Sequence, residues 1–419
     1  MFLPLIPLLF ATAAFSHNTE LTIKTDRGTV LGHYAPCNPT VREFLRILYG
    51  APPIGNIRWM PAVKPARWRK PFQAKAFGPS CYHTTFGDPL LTGNFPKPPS
   101  ESEDCLSINI WTPTTSRIKR GGAAVMLWVY GGAFVIGGSY TPSYNGANFV
   151  RDQEDIIIVS FNYRLNVFGF PGATIFGNKA NPGLHDVRSA VEWVRDNIAR
   201  FGGNPEKITL FGESAGAAAT DSYLFSNQDD PIIAGAIMQS GTGITPQGTQ
   251  NDTKWNLLST LLSCKNLTTT PQSQLTCMRS LPATLIRDTV VQNNLTFLPT
   301  ADNTTVYTDT EARLRSGRFA RIPVLIGSND QEIPISISIL GPLLTLILFT
   351  CPAAKSARFR TQYIPTWLYR YFGNWPIGLN ATVGIGAYHT IEIPQVFGTY
   401  NTTLATEQQR GDSKYMQGM

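Results

Sequence analysis

Ile208-Thr209-Leu210-Phe211-Gly212-Glu213-Ser214-Ala215-Gly216-Ala217-Ala218-Ala219 changes character within a few residues. Ile208–Phe211 reads as a short buried strand, and the alanine-rich run Ser214–Leu224 reads as a helix. Ser214 stands at the junction with Gly212 and Gly216 two residues to either side. A direct strand-to-helix turn holds its apex residue in a strained conformation, and a Cβ at either flanking position would crowd the neighbouring elements. Such a turn lifts a serine hydroxyl clear of a sheet and aims the helix N-terminus at negative charge developing on a bound group. Ser214 is the candidate nucleophile.

Strand and helix signals alternate on both sides of this junction. Ala123–Tyr130 and Asp155–Tyr163 are apolar, strand-like runs, as are Ala234–Met238 and Ile322–Ile326. His185–Phe201 carries Val187, Ala190, Val191, Val194, Ile198 and Phe201 at helical spacing, and Gly202-Gly203-Asn204-Pro205 ends it. Continuous apolar strands separated by helices predict an α/β fold, with a mostly parallel sheet covered on both faces.

The candidate nucleophile needs partners. Tyr130-Gly131-Gly132-Ala133-Phe134 follows a predicted strand, and its small residues leave backbone N–H groups open to a substrate oxygen. With the N–H of Ala215, those of Gly132 and Ala133 make a candidate three-donor oxyanion hole. The chain has five histidines, at positions 17, 33, 83, 185 and 389. Only His389 follows Ser214, and sites built on such an elbow run serine, acid, histidine along the chain. The acid is expected after a strand between the two. Pro323–Gly327 is that strand, and Asp330 and Glu332 follow it as equal candidates.

Composition narrows the classes. The chain has 419 residues, 42 % of them hydrophobic, which supports a large core and excludes wholesale disorder. The net charge of +7 contains no Lys/Arg-rich run, so no nucleic-acid footprint is present. Residues 2–15 are uncharged and precede small residues at Ala14 and Ser16. They read as a signal peptide over residues 1–16, cut before His17, which places the protein outside the cell. Six cysteines fit that compartment. Spacing allows Cys81 with Cys105 and Cys264 with Cys277, and leaves Cys37 and Cys351 over. Sequons at Asn251, Asn266, Asn294, Asn303, Asn380 and Asn401 fit glycosylation during export. Ile333–Ala354 carries no charge at all. Pro334, Gly341, Pro342 and Pro352 interrupt it, so it is expected to be a buried or cleft-lining segment and no stable membrane span. Arg410-Gly411-Asp412 is expected in a solvated loop.

Together these segments resemble the type-B carboxylesterase/lipase family, the cholinesterase-like branch of the α/β-hydrolases. Leu48–Gly55 with Arg58-Trp59, Glu103–Asn109, Asn181–Asp186 and Phe201–Pro205 match its stretches in order, from about residue 20 onward. Trp367–Trp375 is most similar to secreted fungal carboxylesterases. The resemblance implies an α/β-hydrolase fold over residues 17–419 and a Ser214–Glu332–His389 triad. It prefers Glu332 to Asp330, although Gln331 and Ile333 replace the family's flanking Asp and Gly. It implies Cys81–Cys105 and Cys264–Cys277 disulfides, and Ser240 as a support for the acid. Glu332 and His389 are 57 residues apart, shorter than the family's usual spacing, and Met419 falls 30 residues after His389. Relative to the family the chain reads as shortened after Glu332 and at its C-terminus.

The expected activity is hydrolysis of small-molecule or lipid esters through an acyl-enzyme, with no cofactor and no metal. The alternatives are a catalytically silent, cholinesterase-like adhesion protein and a truncated, inactive family member. Oligomeric state is left open.

Overall fold

In the computed structural model the described residues are 19–36, 38–84, 98–244, 248–266, 268–335, 338–375, 386–400, 402–403 and 405–418. The expected signal peptide, Cys37, Asn380 and Asn401 lie outside them.

Nine strands form the central sheet. They are β1 (His33–Ala35), β2 (Asn38–Leu48), β3 (Ser107–Pro113), β4 (Ala123–Val129), β5 (Ile156–Phe161), β6 (Gly203–Glu213), β7 (Gly235–Gln239), β8 (Val324–Asn329) and β9 (Thr366–Tyr371). Their spatial order is β9-β8-β7-β6-β4-β5-β3-β2-β1. From β9 to β5 every pairing is parallel, and from β5 to β1 every pairing is antiparallel. The central parallel strands are mostly apolar where both faces are covered: Val125, Leu127, Val129, Ile157, Val159, Ile208 and Leu210 are fully buried.

Four helices bear on the site and its surroundings: α1 (Pro182–Asn197), α2 (Ala215–Ser226), α3 (Thr310–Ser316) and α4 (Cys351–Arg360). Pro182 starts α1 where a missing N–H costs nothing, and Val187, Ala190, Val191 and Val194 face the core. The buried Asp186 of α1 accepts from both Nε and Nη2 of Arg164, at 2.7 and 2.6 Å. A second core surrounds Trp59 and Trp255, beneath the helices Thr253–Leu261, Pro271–Ser280 and Ala283–Gln292. Disulfides join Cys81 to Cys105 and Cys264 to Cys277, while Cys351 is an exposed thiol.

Chain order reverses at β4, since β5 lies on one side of it and β6 on the other. In an open parallel sheet that reversal leaves a crevice beyond the carboxyl ends of the strands. The segments after β4, β6, β7 and β8 all emerge at this edge, and they carry Gly131–Phe134, Ser214, Ser240 and Asp330–Glu332.

One expectation holds in part and one fails. Ile333–Ala354, expected to be buried or cleft-lining, packs Phe349 on the His389 ring but is not wholly buried. From 341 to 360 the chain is helical, with one π turn at Leu346–Thr350, and Ile339, Leu343 and Ile347 face solvent. Arg410-Gly411-Asp412 lies in the helix Glu407–Gly418, not in a loop. Among the described residues no helix is long and apolar enough to cross a membrane.

Candidate active site

Ser214 occupies the turn between β6 and α2 with φ 56° and ψ −122°. Side chains other than glycine rarely adopt this backbone conformation, at a cost of about 1–3 kcal/mol. The surrounding structure enforces it. A Cβ at position 216 would lie 2.0 Å from the carbonyl oxygen of Val129, and one at position 212 would lie 2.6 Å from Gly216. Both glycines are therefore sterically required. The Ser214 N–H donates to the Gln239 carbonyl at 2.8 Å, which ties the turn to β7.

The loop after β4 lies directly against this turn. A Cβ at Gly131 would meet the Glu213 carbonyl oxygen at 2.8 Å and Ser214 Cβ at 2.9 Å. Gly132, Ala133 and Phe134 follow with φ of 104°, 52° and 63°. Three consecutive positive φ values form a tight backbone bend beside the serine, the kind of geometry in which successive N–H groups converge on an anion. Ala215 is the first residue of α2, so its N–H belongs to the unpaired set at a helix N-terminus.

His389 is held by Glu332. Its Nδ1 lies 2.7 Å from Glu332 Oε2, and its backbone N–H donates to the Glu332 carbonyl at 3.1 Å. The other carboxylate oxygen, Oε1, accepts from the Asn329 N–H at 2.7 Å. Asn329 Nδ2 also donates to the Tyr388 carbonyl at 2.8 Å, so the loop after β8 and the loop carrying His389 are bonded along their length. Phe349 packs on the imidazole with ring centroids 4.9 Å apart. Asp330, the other acid candidate, points away and pairs with Arg370 at 2.9 Å.

Two expected contacts are not made. Ser240 is buried, but its hydroxyl has no hydrogen-bond partner, and Asn329 supports Glu332 in its place. No hydrogen bond joins the Ser214 hydroxyl to His389. Instead, His389 Nε2 lies 3.1 Å from Glu213 Oε1, off the line of a hydrogen bond.

Glu213 and Glu392 stand beside these candidates and were passed over by sequence reasoning. Both are buried. Glu392 accepts from Gln239 Nε2 at 3.1 Å and Asn329 Nδ2 at 2.7 Å. With Glu332 they set three carboxyl groups around one imidazole. Burial pushes Glu213 up to about 8, against the pull of His389, and Glu392 and Glu332 push it further in the same direction. Burial likewise raises Glu392 to about 7, helped by Glu332. For His389 burial opposes the charged form, but Glu213, then Glu332 and Glu392, outweigh it and raise the imidazole to about 10. The ring is 27 % exposed, so solvent screens part of that pull. Glu213 and His389 each shift the other, so the two groups titrate as a pair. A signal for both glutamates was present: Glu213 adjoins the nucleophile, and Glu392 sits three residues beyond His389.

A family profile described as Carboxylesterase family matches residues 19–342. "Secreted lipase 5" of Gibberella zeae is 34 % identical over an alignment covering all of this chain and 87 % of that protein. "Chlorogenic acid esterase" of Aspergillus niger is 33 % identical over 91 % of this chain and 77 % of its own length. Among solved structures, a PNB esterase superposes with a TM-score of 0.80 at 26 % identity, covering 95 % of this chain and 89 % of its own.

Proposed function

The chain belongs to the carboxylesterase family and is a carboxylic ester hydrolase, and from that premise we propose that it works outside the cell through a Ser214–Glu332–His389 triad. The observation that carries the triad is the strained, sterically enforced turn at Ser214, on the same strand-end edge as the bonded Glu332–His389 pair.

The proposed sequence of steps follows from the contacts. Glu332 accepts the Nδ1 proton of His389, which fixes the tautomer and leaves the Nε2 lone pair free. Nε2 then takes the proton from the Ser214 hydroxyl as its oxygen attacks the ester carbonyl. The N–H groups of Gly132, Ala133 and Ala215 receive the oxyanion. Losing one such donor typically costs about 2.7–4 kcal/mol of transition-state stabilisation. His389 returns the proton to the leaving alcohol, and water, activated by the same imidazole, releases the acid.

Export is supported by the uncharged stretch 2–15, by the two disulfides, and by the exposed sequons Asn251, Asn266, Asn294 and Asn303. The name of the Gibberella zeae relative points the same way.

Ser214→Ala and His389→Ala are the test. Each is expected to reduce kcat/KM for a water-soluble aryl butyrate at least 10³-fold, roughly the scale of triad deletions, in protein that still melts cooperatively. Parent-level turnover in the purified Ser214→Ala protein refutes the assignment.

A further inference from the structure

Soluble helices bury their apolar side, and the helical stretch 341–360 does the opposite over its first half. In that half the buried positions are the small Gly341 and the polar Thr345; only further on do Ala353, Ala357 and Phe359 turn inward, with Ser356 and Arg360. Thr345 Oγ1 accepts the Ile333 N–H at 3.0 Å, and Arg360 pairs with the buried Asp221. Its outward stripe continues from the preceding turn. Ile339 is 85 % exposed, Leu343 52 %, Leu346 41 % and Ile347 56 %. These positions follow the i, i+4, i+7, i+8 spacing of a single helix face. A contiguous apolar face on the outside of a protein marks a surface that something else covers.

Two features identify what covers it. The first is charge. The stripe runs on to the exposed Arg358, where α4 lies against α3 and the loop after α3. In that region Arg313, Arg315, Arg318, Arg321, Lys355 and Arg358 stand against only two carboxylates, Asp309 and Glu311. Both carboxylates are already paired, to Arg313 and Arg318 and to Arg315 and Lys355. Arg358 and Arg321 have no carboxylate partner among the described residues. An apolar face bordered by surplus cations is complementary to an anionic lipid surface: the acyl region takes the leucines and the headgroups take the arginines. The second is position. Phe349, on the same helical stretch, packs on the His389 ring, and Thr350 Oγ1 lies 3.3 Å from Ser328 Oγ of β8. The stripe is therefore one side chain away from the imidazole.

We propose that the outward face of residues 339–358 docks the protein on an anionic phospholipid surface, so that its substrates include esters presented at that surface. The step from docking to substrate class rests on the ester-hydrolase reading; the docking itself does not.

The test uses full-length Ser214→Ala protein, which cannot consume the lipid, in flotation with vesicles. One set is 70:30 phosphatidylcholine:phosphatidylserine and the other is phosphatidylcholine alone. Binding to the anionic vesicles is expected to be at least tenfold stronger than to the neutral ones. Leu343→Glu/Ile347→Glu is expected to weaken binding at least tenfold, and Arg321→Glu/Arg358→Glu to abolish the preference for phosphatidylserine. Ile339→Glu is an independent check on the same face. In the Ser214 background, Leu343→Glu/Ile347→Glu keeps its turnover of a soluble aryl butyrate within twofold, which shows that it is folded. No vesicle binding by the parent, or binding unmoved by Leu343→Glu/Ile347→Glu, overturns the proposal. It is overturned equally if sedimentation shows that these substitutions split a dimer, since the face then belongs to a second copy. Failure of the hydrolase reading appears separately, as no turnover of the soluble ester by the parent.

Discussion

Replacing Glu213 by Gln tests the electrostatics of the site. The substitution keeps shape and removes a carboxyl group 3.1 Å from His389 Nε2, leaving Glu332 at 2.7 Å on Nδ1. Glu213 is the largest contributor holding the imidazole near 10, and a nearby opposite charge typically shifts a pKa by about 1–3 units. Removing it lowers the pKa of the base. The fraction of free imidazole at a given pH then rises, so the acidic limb of kcat/KM moves to lower pH by about 1–3 units. The sign carries over to stability. Glu213 is raised from 4.5 to about 8 by burial, so the cost of ionising it in the folded protein accrues as pH rises from about 4.5 and is complete above about 8. The gain from His389 is full below about 6.5 and is lost as pH rises through about 10. Parent stability therefore falls from acid to alkaline pH, and Glu213→Gln flattens the part of that fall below about 8. The assay is kcat/KM on a soluble aryl butyrate from pH 5 to 9, with thermal melts at each pH. An acidic limb that stays in place, or moves upward, refutes the reasoning.

Further substitutions separate the other roles. Glu332→Gln is expected to lower kcat about 10³–10⁴-fold, while Asp330→Asn, which loses only the exposed pair with Arg370, leaves kcat within twofold; equal losses in steady-state kinetics contradict the choice of acid. Gly216→Ala places a methyl 2.0 Å from the Val129 carbonyl and is expected to abolish activity, even in protein recovered folded by circular dichroism. Arg360→Ala strands the fully buried Asp221 and is expected to cost about 3–5 kcal/mol of stability in denaturant titration.

Five of the six strands in the parallel half were legible because each contains a largely apolar run, while β9, with Tyr369, Arg370 and Tyr371, was not read as one; the Ile208–Gly216 junction fixed where the nucleophile sits. The antiparallel half was not. β2 carries Arg42 and Glu43 inside the core, where Trp111 Nε1 donates to Glu43 at 2.8 Å and the Pro113 carbonyl accepts from Arg42 at 2.8 Å, so its hydropathy does not read as a buried strand. His389 was found by chain order alone. Asp330 and Glu332 were indistinguishable by spacing because they leave the same strand end, and only the Arg370 side chain on β9, distant in sequence, shows which one faces out. Glu213 and Glu392 each adjoin a candidate residue, but their clustering was not legible for a related reason: they are far apart in the chain, and their burial is a property of the closed fold. Ile333–Ala354 misled in the opposite sense. An uncharged run is normally buried, and here half of it faces solvent.

The central claim is that Ser214 is an activated nucleophile. The most direct measurement is labelling of the secreted, full-length protein with a fluorophosphonate, followed by peptide mass spectrometry. The expected result is one adduct per chain on the peptide containing Gly212–Gly216, slowed by Glu332→Gln and absent in Ser214→Ala. Ester hydrolysis by a protein that takes no label on Ser214, or takes it on another residue, contradicts the account.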